Sequence, residues 1–198
     1  LYVYNQLINM GGLSAYTKKQ NNMELNKSIL LNKAMIWGLF TGIASILVAS
    51  AFYIAGQFLS PALGWVLFLV YTGGIVMSAK AYKKAIAEDA PFAYGKAVGL
   101  GVATLFFASI IMALFYYILY AFVDPQLVDQ TAALAEEALL EAGFKEDMVE
   151  QQMAIQRKMM TPMFIALSQM FNVVLYGLFI SIITSIFLKK KPENGFNA

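Results

Sequence analysis

The sequence has neither cysteine nor histidine among its 198 residues. Together these absences exclude disulfides, thiol chemistry, haem ligation, the usual zinc sites and imidazole acid–base catalysis. Charge is scarce too: Asp, Glu, Lys and Arg make up 13% of the chain, against about a quarter in a soluble domain. The scarcity comes in blocks. None of these four residues occurs from Ala34 to Ala79, from Ala97 to Val123, or from Met159 to Leu188. A transporter or proton relay usually places ionisable groups in its spans, and these blocks hold no acid or base for that task.

What fills the blocks is hydrophobic, as is 60% of the whole chain. A helix of roughly 20 apolar residues crosses a bilayer core of about 30 Å. The blocks therefore predict an all-α polytopic membrane protein. Ser60-Pro61 divides the first block, since proline suits the first turn of a helix, where its missing N–H costs nothing. Four spans result, at about 34–59, 61–79, 97–123 and 162–188. The third stops at Asp124-Pro125, a cap-plus-proline signal, and Thr161-Pro162 repeats the signal before the fourth.

Orientation follows from the lysines. Lys18, Lys19, Lys27 and Lys33 precede span one; Lys80, Lys83, Lys84 and Lys96 lie between spans two and three; Lys189, Lys190 and Lys191 follow span four. Residues 124–161 instead carry eight acids against Lys145, Arg157 and Lys158. The positive-inside rule puts both termini in the cytoplasm and 124–161 outside. Trp37 and Tyr94 then fall at inner span ends, with Trp65, Tyr116, Tyr117 and Tyr120 towards outer ends, although packing between helices explains any single ring as well. Lys80, Lys83 and Lys84 share a helical face that suits anionic head groups, but their topogenic role suffices to explain them. A cleaved signal peptide ending at Ala49-Ser50-Ala51 is the competing reading of span one, and the apolar run continuing to Leu59 argues against it.

Residues 1–23 lack a clear helical or strand period and read as a disordered or non-native extension. Residues 24–192 form one membrane domain, followed by a tail at 193–198.

The stretch AYGKAVGLG at the start of span three superficially suggests a phosphate loop. Lys96 is followed by Ala97 rather than Ser or Thr, however, and Ala90 stands where the first P-loop glycine belongs. No nucleotide or nucleic-acid partner is expected. Gly95 and Gly99 are four apart, as are Gly38 and Gly42, which puts each pair on one helix face where backbones approach closely. Gly101 adds a small residue deeper in span three. These five glycines are the helix-packing candidates.

With this topology the sequence resembles the bacterial family known as domain of unknown function 4199 (DUF4199). The resemblance rests on Tyr94-Gly95-Lys96-Ala97, FVDP from Phe122 to Pro125, the acidic Met- and Gln-rich segment EEALLEAGFKEDMVEQQMAIQRKMMTP, and KKKP from Lys189 to Pro192. It covers about Glu24 to Pro192 and implies four helices in a bacterial inner membrane, with no activity attached.

Between spans three and four, residues 124–161 read as an extramembrane helical hairpin broken at Gly143. Met148, Val149, Met153, Ile155 and Met159 fall roughly on one apolar face. That face either lies on the lipid or on the outer ends of the spans, or it takes a protein partner or second copy; no EF-hand spacing supports a cation. Inside the membrane the best polar group is Gln169, Asn172 and Tyr176, at i, i+3 and i+7 of span four. They read as interhelical glue, with a ligand or transport path as the competitor. No catalytic residue, metal ligand or cofactor site is expected. The sequence favours a non-catalytic structural or partner-binding membrane component, with a solute transporter or channel subunit acting as an oligomer as the alternative.

Overall fold

A computed structural model describes the chain from residue 2 to 86 and from 92 to 188, with side-chain surroundings for Gln20 and from Met23 onward. Lys189, Lys190, Lys191 and the tail 193–198 lie outside the described residues. Those described form six helices and no strand: α1 (Tyr2–Ile54), α2 (Pro61–Ala85), α3 (Tyr94–Ile118), α4 (Gln126–Glu141), α5 (Glu146–Met159) and α6 (Pro162–Leu188). A π-helical turn, Leu119–Val123, continues α3. Four stretches are long and apolar enough to cross a bilayer: Met23–Ile54, Pro61–Ala85, Tyr94–Val123 and Pro162–Leu188.

The boundaries expose local causes. The hydroxyl of Ser60 accepts from the Ala62 N–H at 3.3 Å, and Thr161 accepts from the Phe164 N–H at 3.2 Å, so both cap-plus-proline signals operate. At Asp124-Pro125 the signal works differently from expectation. No side chain caps α4; the Asp124 carboxylate instead accepts from the Tyr53 hydroxyl at 3.3 Å. Span one ends at Ile54, not at residue 59. Gly56 takes φ +69°, its N–H bonds the Tyr53 carbonyl at 3.0 Å, and the Gln57 N–H reaches back to Phe52 at 2.8 Å. This paired closure needs a left-handed residue, which glycine supplies without a Cβ clash. Gly143, at φ +84°, ends α4 in the same way.

At its other end the helical backbone of α1 runs back to Tyr2, through residues 1–23, which the sequence reads as a disordered or non-native extension. No proline precedes Pro61, and once a helix is nucleated each further residue adds a hydrogen bond at little cost, so a strong period is not required.

α3 is the helix on which α1, α2 and α6 assemble. One end of the bundle gathers Ala34, Tyr82, Phe92, Ala97 and Leu100 into a cluster; lysines flank it, so we call it the lysine end. The opposite end gathers Phe58, Leu63, Tyr116, Tyr120, Leu127 and Ile165, beside the acid-rich α4 and α5. Leucine, isoleucine and phenylalanine side chains cover much of the outer surface of the spans, as suits a lipid-facing belt.

Candidate functional site

The lysine end is packed through small residues. At Gly38 a Cβ would meet Phe107 Cβ and the Thr104 carbonyl oxygen, each at 2.6 Å, so α1 and α3 touch there almost backbone to backbone. Gly42 continues the contact at 3.1 Å from Ile111. Gly101 faces Ser181 of α6 and Ile75 of α2. Gly74 against Thr41, and Gly177 against Leu105, do the same work on α2 and α6 and were missed by spacing because neither has a glycine four residues away. A buried hydroxyl pair, Thr104 to Ser78 at 2.9 Å, joins α3 to α2. Ser181 and Ser185, fully buried on α6, have no hydrogen-bond partner among the described residues.

Gly95 and Gly99 differ. A Cβ on either would meet nothing within 4 Å among the described residues, so this pair makes no close approach to any described helix. The i,i+4 spacing puts both on one face, but that face does not turn towards a neighbouring helix.

The acidic end is built from rings. Phe58, in the α1–α2 turn, packs edge-on against Tyr53 at 6.0 Å and against Tyr116 and Tyr120 at 5.7 and 6.3 Å. Beside these rings, between α2, α3 and α6, lies a cavity of about 600 Å³. Ser60, Trp65, Phe68 and Tyr71 line it from the α2 side, Tyr116 and Tyr120 from α3 and its π-helical turn, and Gln169, Val173 and Tyr176 from α6. The π-helical turn puts one more residue in the loop between donor and acceptor, with the Asp124 N–H bonding the Leu119 carbonyl at 2.8 Å. Such insertions re-aim side chains and often lie at functional sites. Here the turn brings Tyr120 to the cavity wall while its hydroxyl lies 3.2 Å from Thr131 of α4.

The three polar residues of span four are divided. Gln169 and Tyr176 face the cavity, whereas Asn172 lies on the exposed side and donates to the Ser168 carbonyl of its own helix at 3.0 Å. Two residues seven apart share a face closely, while one three along is turned by about 60° from it. Val173, not Asn172, completes the cavity wall.

The apolar residues of α5 are divided too. Val149 and Met153 are buried against Ala132 and hold α5 to α4. Met148, Ile155 and Met159 form a neighbouring stripe that stays 56, 66 and 53% exposed. Arg157 adds an ion pair to Glu136 at 2.8 Å. α4 and α5 are tied to the bundle chiefly at the start of α4, through Leu127 and the Tyr53–Asp124 and Tyr120–Thr131 contacts.

Order, spacing and span number thus coincide along one continuous stretch. Residues 36–190 match the family described as "Protein of unknown function (DUF4199)". The chain belongs to the DUF4199 family. No curated protein and no solved structure matches it. The DUF4199 match takes in both packing regimes, the cavity and the α4–α5 segment. Family membership brings no assigned chemistry, so function in this DUF4199 protein has to be argued from the geometry.

Proposed function

We propose that this chain is a non-catalytic, multi-pass component of the bacterial inner membrane, with both termini cytoplasmic, that acts by holding a protein partner on α5. The observation that carries the reading is the unpaired stripe of Met148, Ile155 and Met159 beside a stripe already consumed by α4. Methionine adapts to varied surfaces, which suits recognition more than rigid packing. The acids on α4 and α5 work against seating the stripe on anionic head groups and favour a partner whose apolar patch has a basic rim. Lysine distribution supports placing α4 and α5 on the outer side.

Two measurements test this. Because the chain has no cysteine, single introduced cysteines report sidedness directly. Glu137→Cys should react with an impermeant maleimide in spheroplasts and Lys84→Cys only after permeabilisation; the reverse pattern refutes the orientation. A photo-crosslinking residue at Ile155 in native membranes should give a discrete protein adduct, and adducts with lipid alone would reject the partner. The alternative, solute passage as an oligomer, draws support only from the cavity. Against it, Ala79, Leu100, Thr104 and Ser181 close the lysine end with full burial. Flux into liposomes containing the purified protein would reverse the ranking.

A further inference from the structure

We propose that the cavity between α2, α3 and α6 is a binding site for a neutral amphiphile that enters sideways from the lipid: an apolar body with one uncharged, hydrogen-bonding head group. The proposal is independent of the partner on α5.

Four observations converge on it. The first is size: about 600 Å³ falls within the roughly 300–1,000 Å³ of small-molecule sites. The second is access. α6 packs chiefly on α3 and only lightly on α2, and the rim residues Trp65 and Tyr176, within two apolar spans, are 73 and 52% exposed. A ligand already dissolved in the bilayer reaches the cavity without crossing an aqueous loop.

The third is charge. No Asp, Glu, Lys or Arg lines the cavity, so an ionic ligand would lose its hydration and gain no counter-charge. Neutral ligands escape that cost. The fourth is unspent hydrogen bonding. The Gln169 carboxamide and the Tyr176 hydroxyl make no hydrogen bond to any described residue, yet both open on the cavity. Elsewhere in these spans the side-chain amide of Asn172 and the hydroxyls of Thr41, Ser45 and Thr72 are satisfied by carbonyls of their own helices. Both groups remain accessible, so a head group with a hydroxyl or carbonyl can pair with them directly. Rings from Phe58, Trp65, Phe68 and Tyr116 supply broad, flat surface for the apolar body, and their stiffness limits the entropy lost on binding.

The test uses the full chain in phosphatidylcholine nanodiscs, with Trp37→Phe so that Trp65 is the sole tryptophan. Decanoylglycerol, decanoate and decylammonium share a chain and differ in head-group charge. Decanoylglycerol should change Trp65 emission saturably, and the two ions should need at least ten-fold higher concentration. A Trp65→Phe protein, reporting through Trp37, should show no saturable change. Gln169→Leu should weaken decanoylglycerol binding about five-fold without altering the melting temperature; if that variant fails to fold, Tyr176→Phe reads the same head-group contact. Non-saturable partitioning, equal response to all three probes, or unchanged affinity in the folded head-group variant would overturn the proposal. So would disulfide-linked dimers formed efficiently through Tyr176→Cys, because a second copy would then be covering the mouth.

Discussion

The two ends of this bundle are made from equally apolar helices and packed in opposite ways. At the lysine end, Gly38, Gly42, Gly74 and Gly101 remove side chains so that backbones and short hydroxyl residues meet. At the acidic end, the rings of Phe58, Tyr71, Tyr116 and Tyr120 line a cavity between α2, α3 and α6. Lipid tails are as apolar as leucine, so burial alone gives no preference for one arrangement. Side-chain shape decides. Small residues buy dispersion contact along the whole interface, whereas rings contact one another at a few points and leave space between.

The contrast can be broken most sharply at Gly38. Gly38→Leu drives carbon into the α3 backbone, where nothing flexible can yield, and should cost about 3 kcal/mol or more, seen as lost monodisperse protein in detergent. Next comes Phe58→Ala, which removes the ring shared by Tyr53, Tyr116 and Tyr120. It should cost about 3 kcal/mol by thermal melting and enlarge the cavity rather than collapse it. Retained stability there would mean that the rings are not what holds the acidic end. Thr104→Val strands the Ser78 hydroxyl and should cost about 0.6–1.7 kcal/mol in an equilibrium unfolding titration. Smallest is Gly99→Leu: the added side chain points into open space, and the melting temperature should move by no more than about 0.5 kcal/mol implies. A large loss at Gly99 would point to a helix from another chain on that face.

Much of the fold is legible in the residues. The uncharged blocks specify four spans because hydrocarbon thickness sets a minimum run length. Ser60-Pro61, Thr161-Pro162 and Gly143 mark helix ends through bonds that reach only a few residues along the chain. Gly56 closes its helix as Gly143 does, but its position inside an apolar run hides the signal in the sequence. The site was less legible. Spacing placed Gln169, Asn172 and Tyr176 together, yet only Gln169 and Tyr176 reach the cavity. On the sequence Trp65, Tyr116 and Tyr120 suit an interfacial belt or packing between helices equally well, and nothing along it announces a void.

The sequence by itself determined how many helices are long and apolar enough to cross, several of their ends, and which lysines and acids flank them. These depend on local hydrogen bonding, on length and on charge near the water. Only the tertiary structure decided which face of each helix turns inward. In a soluble protein the contrast between polar and apolar faces carries that information, but a membrane helix is apolar all round. Rotation about its axis is then fixed by shape against neighbours, and for that reason Gly38 is buried in a contact while Gly99 faces open space.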